Sequence, residues 1–265
     1  MNWFDLIKVF PRRLQRSLCI RFLAKRRGWF RQRFDAAPLK LAPGMHMRLS
    51  ATDLFHGQIA LMGIYEVELT HWLGDLSRMA GGLMIDVGAN YGYFSLLWCA
   101  GRPDNRVCAV EASPGNVPPL RHNIATNHLT ERIDLHEWAA SNVEGTVDFD
   151  LGSADETGWG GVVMQKTAQS ITVPAHRLDH MFQGEDIELL KIDCEGADSL
   201  VLEGAETLLS SGRIKHVVFE ENLPRQQKLG IEEGRAVRWL EKFGYSCSRL
   251  DTDPWIKSYR AERTK

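Results

Sequence analysis

The stretch LMIDVGANYGYF, residues 83–94, decides the fold of this 265-residue chain. It opens with a short apolar strand that carries Asp86, and Gly88 and Gly92 follow at once. Small residues here let the backbone approach a ligand closely. The helix expected next offers unpaired N–H groups and the positive end of its dipole. The stretch therefore predicts a nucleotide-type ligand held beyond the end of the strand.

A second predicted strand, residues 106–111, strengthens this interpretation. It ends in Glu111, which comes 23 residues after Gly88. In doubly wound folds an acid at this position accepts hydrogen bonds from ribose hydroxyls. The two strands together predict a nucleotide-containing cofactor, which a glycine turn alone does not.

Apolar strands and amphipathic helices alternate along the rest of the chain. We predict further strands at residues 132–138, 187–193 and 215–221, and helices at 92–100, 113–127, 197–212 and 232–243. This alternation is typical of an α/β fold with a doubly wound, mainly parallel sheet and right-handed crossovers. Extra short strands are expected at 146–150 and 170–173, and a closing antiparallel pair at 245–250 and 255–259.

Composition favours an ordinary globular protein, because 44% of the residues are hydrophobic and 25% are charged. The cysteines are odd in number, widely spaced and without a CxxC pair: Cys19, Cys99, Cys108, Cys194 and Cys247. Such cysteines predict reduced thiols in a cytoplasmic protein and argue against a zinc site. His176 and His180 have helical metal-ligand spacing but no third ligand nearby in the sequence.

The net charge of −2 conceals an asymmetry. Residues 1–37 contain ten Lys and Arg against two Asp, and Leu14, Leu18 and Phe22 recur among them at helical spacing. A basic amphipathic helix of this kind lies on an anionic membrane surface, here the inner face of a membrane, or packs its apolar stripe on the rest of the protein. The sequence leaves both interpretations open.

Polar residues end the predicted strands. Ligands of open α/β sheets bind beyond the carboxyl ends of the strands, so these residues surround the expected site. They include, besides Asp86 and Glu111, the residues Lys191, Asp193, Glu195, Glu220, Glu221 and Asn222. Clustered carboxylates in a cleft are costly unless a cation, a sulfonium or a proton offsets their charge.

Five ordered motifs resemble those of the FkbM family of S-adenosylmethionine-dependent methyltransferases. They are IDVGANYGYFS (85–95), AVEASPGNVPPLRHNIATN (109–127), RLD (177–179), LLKIDCEGAD (189–198) and VVFEEN (217–222). GIYE at 63–66 is also similar to the family. The resemblance implies a class I methyltransferase fold with a seven-stranded sheet, preceded here by an N-terminal helical extension. Two features depart from the family: Asp198 stands where Glu is more frequent, and residues 1–37 lie outside its core.

We predict that the chain consists of three parts. Residues 1–40 are the basic amphipathic segment, residues 41–80 an N-terminal cap or substrate region, and residues 81–265 the S-adenosylmethionine-binding methyltransferase domain. The proline- and glycine-containing stretch 36–44 supplies the first boundary, and the glycine pair at 81–82 supplies the second.

The resemblance also implies a set of cofactor contacts. The loop Gly88, Ala89, Asn90 and Gly92 would face the methionine part of the cofactor, with Asp86 beneath it. Glu111 would bind the ribose hydroxyls, and the adenine would lie between two walls formed by Ala112 and Ser113 and by Trp138 and Ala139. For Trp138, packing in the core without cofactor contact is the alternative.

The KIDCEG segment, residues 191–196, is the predicted reaction centre. On an extended backbone Lys191, Asp193 and Glu195 point to one side at steps of roughly 6.5–7 Å. A positioned base typically accelerates attack by an alcohol by about 10²- to 10⁴-fold. We predict Asp193 as the base or orienting group. The alternative is that Asp193 only organises its loop.

Substrate and metal contacts are predicted on the neighbouring segments. Glu66, Trp159, Glu220 and Glu221 are expected to contact the acceptor, Trp159 by stacking on a sugar or, alternatively, by anchoring its loop. Asp193, Glu221 and Asn222 supply hard oxygen ligands for a divalent cation such as Mg²⁺, as in metal-assisted O-methyltransferases. Contact of the glutamates with a sugar, without an ion, is equally consistent with the sequence.

The sequence thus predicts an O-methyltransferase that acts on a hydroxyl of a sugar, glycolipid or natural-product acceptor, without a nucleic-acid partner. An NAD-dependent oxidoreductase is the second hypothesis, although Asn90 replaces the middle glycine of its usual motif. A non-catalytic protein that binds a membrane surface through residues 1–37 is the third. The sequence does not indicate an oligomeric state.

Overall fold

The fold is described for residues 32–152 and 157–264, as given by a computed structural model. The strands are β1 (Ala37–Pro38), β2 (His46–Met47), β3 (Leu83–Val87), β4 (Arg106–Val110), β5 (Ile133–His136), β6 (Ala139–Ala140), β7 (Gly145–Asp150), β8 (Gly161–Val162), β9 (Ser170–His176), β10 (Ile187–Ile192), β11 (Ile214–Asn222), β12 (Tyr245–Arg249) and β13 (Ile256–Arg263). The helices are α1 (Leu54–Met62), α2 (Val67–Met79), α3 (Tyr93–Gly101), α4 (Val117–Thr126), α5 (Leu178–Met181), α6 (Asp198–Glu203), α7 (Glu206–Ser210), α8 (Leu223–Leu229) and α9 (Arg235–Lys242). Residues 32–35 are also helical.

A seven-stranded sheet in the order β12-β13-β11-β10-β3-β4-β5 forms the centre of the fold. The strands from β5 to β11 are parallel, and β13 pairs antiparallel with both β11 and β12. This confirms the predicted doubly wound α/β class. The chain runs outward from β3 to β5 and later returns to the other side of β3 through β10. The order therefore reverses between β3 and β10, where open α/β sheets bind their ligands.

The apolar sequence of the central strands reflects burial on both faces. Every residue of β3 and of β10 is buried, including Asp86 and Lys191. Parallel strands covered by helices on both sides read as continuous apolar runs, which is why these two segments were recognisable in the sequence. Asp86 and Lys191 are register partners on these two strands, so their opposite charges offset each other inside the sheet.

Two differences from the predicted helices have local causes. The helix expected at 197–212 is divided into α6 and α7 at Gly204, where a Cβ would come within 2.0 Å of the Ser141 carbonyl oxygen. A close backbone contact therefore interrupts the helix. The helix expected from residue 113 begins at Val117, because the preceding turn brings Ser113 and Asn116 to Glu111.

The small antiparallel strands also follow the prediction. β7 pairs with β9 in a four-stranded sheet of order β6-β9-β7-β8. The antiparallel pair predicted near the C-terminus is formed by β12 and β13.

The cap region predicted at 41–80 contains α1 and α2 and is anchored to the central domain. The Arg48 N–H donates to Asn123 Oδ1 at 2.7 Å, and the His46 N–H donates to Asn127 Oδ1 at 2.9 Å. Most of the basic segment 1–37 lies outside the described residues, and its predicted membrane contact stays a prediction. Within the described ranges, no helix is long and apolar enough to cross a membrane.

Gly88 offers a test of this architecture. Gly88 and Gly230 have φ angles of +72° and +68°, but only a Cβ on Gly88 would meet another atom, the Asp193 carbonyl oxygen at 2.0 Å. We expect Gly230→Ala to lower the free energy of unfolding by about 1–2 kcal/mol through backbone strain. Gly88→Ala should lower it by a further ~1–3 kcal/mol because the backbones must separate. Urea denaturation of both variants measures the difference, and equal losses would show that the β3 and β10 loops are not in contact.

Candidate active site

The loop after β3 is joined to the strand ends on both sides of it. The Gly88 and Ala89 N–H groups donate to the Val110 carbonyl oxygen at 2.9 and 3.1 Å, and the Asp193 N–H donates to the Val87 carbonyl oxygen at 3.1 Å. Gly92 has a φ of +92° and is the N-cap of α3. Gly88 and Gly92 thus allow the loop after β3 to lie close to the ends of the neighbouring strands.

Glu111 is the buried carboxylate at the end of β4. Its Oε2 accepts from the Asn90 N–H at 2.7 Å, and its Oε1 accepts from the Ser113 N–H at 2.8 Å and from the Asn116 amide at 3.4 Å. Burial raises the pKa of Glu111, and these donors oppose the rise. A carboxylate has about four lone-pair sites, so the three donors leave it capacity for a ligand hydroxyl.

Glu111 opens into a cleft, which we call the Glu111 cleft, with about 620 Å³ of space that includes open solvent at its mouth. Ala112 and Ser113 lie on its wall beside Glu111, and Trp138 and Ala139 lie on it from the end of β5. Trp138 also packs in the buried core, and its contact with the cofactor stays a prediction. A buried carboxylate beside flat apolar walls suits a nucleoside, whose ribose donates hydrogen bonds and whose base is planar.

A larger cleft, the Glu66 cleft, adjoins the first and has about 1030 Å³ of space, again including open solvent at its mouth. Its aromatic residues are Phe55, Tyr65, Tyr91, Tyr93, Phe94 and Trp159. Its carboxylates are Asp53, Glu66, Asp193, Glu195 and Glu220. The two clefts share Gly88, Asn90, Gly158 and Asp193, so they meet at the loops after β3 and β10.

Lys191 is the buried cation at this junction. Its Nζ lies 3.2 Å from Asp86 Oδ1 and 3.6 Å from Asp193 Oδ2, and it donates to the Gly88 carbonyl oxygen at 3.3 Å. Burial disfavours the charged amine, but Asp86 and Asp193 outweigh burial and raise the pKa of Lys191. Asp86 accepts from Ser95 Oγ at 2.6 Å on its other oxygen. Lys191 therefore positions Asp193 while it neutralises Asp86.

The carboxylates around Asp193 hold protons more tightly than usual. Burial, followed by repulsion from Asp193, raises the pKa of Glu66 to about 7 and that of Glu195 to about 8. The same two causes raise the pKa of Glu220. Glu195 Oε2 accepts from the Asn222 amide at 2.8 Å and lies 3.5 Å from Arg225 Nε. The Glu66 cleft can thus exchange protons near neutral pH.

Backbone strain concentrates at the same cleft. In the described part of the chain, the residues other than glycine with positive φ are Glu66, Asn90, His128 and Glu195, and all but His128 line the Glu66 cleft. Such conformations cost about 1–3 kcal/mol each and cluster where a site needs a particular side-chain direction. Glu66 illustrates this: it is the N-cap of α2, yet its side chain makes no capping hydrogen bond.

Asp198 has a structural role that the sequence did not predict. It is fully buried, and its two oxygens accept from the Glu220 N–H at 2.8 Å and the Cys194 N–H at 3.2 Å. Burial raises its pKa to about 7. Asp198 therefore joins the ends of β10 and β11 beneath the cleft, and the departure from the family at this position keeps a carboxylate there.

The structure corrects the predictions for Glu221. Alternation along β11 turns Glu220 and Asn222 toward the Glu66 cleft, whereas Glu221 is fully buried on the opposite face and lines neither cleft. The predicted substrate contact of Glu221 and the ligand set of Asp193, Glu221 and Asn222 are therefore wrong. Among the described residues, no three His, Cys, Asp or Glu side chains are grouped to hold a metal ion.

The other predicted residues divide between the clefts. Gly88 and Asn90 line both, Ala89 lines only the Glu66 cleft, and Asp86 and Gly92 line neither. Asp86 contacts Lys191 of the Glu66 cleft, and Gly92 begins α3, so any effect of these two residues on a ligand would be indirect. Lys191, Asp193 and Glu195 line the Glu66 cleft together, as their alternation predicts.

Sequence reasoning missed several residues at the clefts. Asn116 and Thr157 line the Glu111 cleft, and Asp53 lines the Glu66 cleft. Arg225 lines neither cleft, but its guanidinium carbon lies 5.5 Å from the centre of the Trp159 ring. Asn116 stands within a motif and could have been found there. The others come from distant segments, so their proximity has no local signal in the sequence.

A sequence profile described as the methyltransferase FkbM domain matches residues 86–247, more than half of the chain. Among curated proteins, none matches the chain.

Several solved structures are similar in fold. Precorrin-6y C5,15-methyltransferase from Geobacter metallireducens has 15% identity over 74% of this chain and 89% of its own, with a TM-score of 0.45. The B. subtilis M1A22 tRNA methyltransferase TrmK has 13% identity over 74% and 65%, with a TM-score of 0.42. TrmK from M. capricolum, in complex with S-adenosyl-homocysteine, has 10% identity over 73% and 68%, with a TM-score of 0.42. At these identities the similarity concerns the fold alone.

The raised pKa values predict how stability depends on pH. The pKa values of Glu66, Glu195 and Asp198 lie at about 7, 8 and 7 in the folded protein, above their usual 4.5, 4.5 and 3.8. Above pH 5 the folded state therefore binds more protons than the unfolded state. The free energy of unfolding should fall as pH rises from 5 to 8, by up to about 1.4 kcal/mol per pH unit for each group.

Urea denaturation at pH 5, 6, 7 and 8 measures this slope. Glu66→Gln and Glu195→Gln each remove one of the titrating groups and should make the slope shallower. Glu137→Gln, an exposed carboxylate paired with Arg121, is the matched control and should keep the wild-type slope. A slope that none of the site variants changes would contradict the assignment.

Proposed function

This chain belongs to the family of FkbM methyltransferases, and from that premise we propose that it methylates a hydroxyl of a sugar, glycolipid or natural-product acceptor. Membership of the family makes it an S-adenosylmethionine-dependent methyltransferase and removes the oxidoreductase hypothesis. One observation supports the acceptor assignment most strongly: the Glu66 cleft meets the Glu111 cleft at Gly88, Asn90 and Asp193. Two substrates bound in the two clefts would meet beside these shared residues.

The Glu111 cleft has the donor set that the cofactor needs. Glu111 would accept hydrogen bonds from the ribose hydroxyls, and Trp138, Ala139 and Ala112 would hold the base. S-adenosylmethionine supplies, when bound, a methyl group on a positively charged sulfur that an oxygen nucleophile can attack. Asp193, at the shared wall, lies where carboxylate charge would favour a positive group.

The Glu66 cleft suits a neutral, hydroxyl-bearing acceptor. Aromatic rings such as those of Trp159 and Phe55 pack on the apolar face of a sugar, and the carboxylates accept its hydroxyl protons. Among the described residues that line this cleft, Lys191 is the only lysine or arginine, and Asp86 and Asp193 already pair with it. An anionic acceptor would meet unbalanced carboxylates and would bind poorly.

Asp193 is the group that we place at the acceptor hydroxyl. Lys191 fixes one side of its carboxylate, and about a third of its side chain remains exposed. A carboxylate held in this way can orient the hydroxyl and accept its proton as the new carbon–oxygen bond forms. Glu66, with a pKa raised to about 7, lines the same cleft and can pass such a proton to solvent.

Calorimetry tests whether Glu111 binds S-adenosylmethionine. Glu111→Ala should weaken binding of S-adenosylmethionine by roughly 100-fold, because charge-assisted hydrogen bonds of ~1.5–3 kcal/mol each are lost. Isothermal titration calorimetry measures the dissociation constant, and Glu137→Ala is the matched surface control. If the wild-type protein releases no heat, the proposed function is wrong.

The rate of methyl transfer tests the role of Asp193 and the class of acceptor. Asp193→Asn keeps the shape of the side chain but removes its basicity, so cofactor binding should persist while the rate falls by about 10²- to 10⁴-fold. Transfer of tritiated methyl groups from S-adenosylmethionine into a lipid and metabolite extract of the source organism measures the rate. An unchanged rate would remove Asp193 from the reaction. Incorporation into extracted nucleic acid instead would contradict the acceptor class.

A further inference from the structure

Asp53 is a buried carboxylate in the Glu66 cleft whose hydrogen bonds lead out of that cleft. Its side chain is 3% exposed. Oδ1 accepts from the Phe55 and His56 N–H groups at 2.8 and 3.0 Å and so caps the start of α1. Oδ2 accepts from the Thr157 N–H at 2.7 Å and from the Thr157 hydroxyl at 2.8 Å. Asp53 thus connects α1 to a segment 104 residues later in the chain.

Thr157 in turn belongs to a ring of hydrogen bonds around Glu111. Its carbonyl oxygen accepts from the Asn116 amide at 3.1 Å, and the same amide nitrogen lies 3.4 Å from Glu111 Oε1. Glu111 Oε2 accepts from the Asn90 N–H, and the Asn90 amide reaches Thr157 Oγ1 at 3.5 Å. The four residues Thr157, Asn116, Glu111 and Asn90 close the ring, and all of them line the Glu111 cleft.

The chemistry of Asp53 fixes the direction of these bonds. An ionised carboxylate only accepts, so the Thr157 hydroxyl must give its proton to Asp53. The hydroxyl oxygen then has only lone pairs left, and it can serve Asn90 only as an acceptor. The Asn90 amide is thereby oriented, and with it the loop whose N–H holds Glu111.

We propose that Asp53 is a positioning residue for cofactor binding: through Thr157 it fixes the Asn116 and Asn90 donors that orient Glu111. Asp53 lines the Glu66 cleft and does not line the Glu111 cleft. The same carboxylate that borders the acceptor therefore sets the geometry of the cofactor cleft. Occupation of the two clefts is coupled through this carboxylate. The inference rests on the proposed function of the Glu111 cleft.

Asp53→Asn is a selective test because asparagine caps a helix as well as aspartate does. Its Oδ1 can keep the bonds to Phe55 and His56, while its amide would face the two Thr157 donors. We expect binding of S-adenosylhomocysteine, measured by calorimetry, to weaken about tenfold, which corresponds to the loss of one charge-assisted hydrogen bond. Thr157→Val should weaken the binding of S-adenosylhomocysteine by a similar factor. Thr157→Ser, which retains the hydroxyl, should bind it with an affinity close to that of the wild-type protein.

Asp150 supplies the matched control. It also accepts from a backbone N–H and a threonine hydroxyl, those of Gly152 at 2.9 Å and Thr167 at 3.0 Å, but it lines neither cleft. Asp150→Asn should leave the affinity for S-adenosylhomocysteine unchanged. Thermal unfolding without ligand shows whether each variant is folded. If Asp53→Asn is not folded, the affinity of Thr157→Val for S-adenosylhomocysteine provides the test.

The double variant Asp53→Asn/Thr157→Val separates positioning from a general structural effect. If both residues act through one link, the double variant should bind about as weakly as either single variant. Additive losses, or wild-type affinity in Asp53→Asn, would overturn the inference while leaving the cofactor site intact. Absence of binding by the wild-type protein would instead count against the proposed function itself.

Discussion

The close approach of the loops after β3 and β10 is the constraint on which the site depends. The parallel register places Lys191 directly beside Asp86, and a Cβ on Gly88 would lie 2.0 Å from the Asp193 carbonyl oxygen. Because the backbones touch, the two clefts share one wall instead of being separated by side chains. The polar groups of the reaction are therefore placed by sheet geometry, which is more rigid than any single side chain.

This arrangement gathers carboxylates around one buried amine, and the electrostatics follow from that. Lys191 neutralises Asp86 and holds Asp193, which leaves Glu66, Glu195 and Glu220 without a full countercharge. Their pKa values are raised because burial and mutual repulsion favour the protonated forms. The cleft is thus ready to accept a positive group or to release protons. Both properties agree with methyl transfer from a sulfonium to a hydroxyl.

The sequence predicted the sheet and the Glu111 cleft well because both depend on local patterns. Continuous apolar runs identified β3 and β10, and Glu111 followed from its spacing to Gly88. The prediction for Glu221 is wrong because side chains alternate along β11, so that Glu220 and Asn222 share one face and Glu221 lies on the other. The bonds from Asp53 to Thr157 had no local pattern at all, since only the folded chain brings these segments together.

The strand ends and the surrounding segments contribute different parts of the Glu66 cleft, and this difference indicates which residues determine acceptor specificity. The strands and the residues directly after them supply Glu111, Lys191 and Asp193. Other walls of the Glu66 cleft come from α1, the turn before α2 and the segment around Trp159. These segments carry the strained Glu66 and the aromatic residues Phe55, Tyr65 and Trp159, and Asp53 connects them to the cofactor cleft. A change of acceptor therefore requires changes in these segments, not in the sheet. Because Asp53 lines the Glu66 cleft and is bonded to Thr157 of the Glu111 cleft, such changes are constrained by the need to keep Glu111 in place.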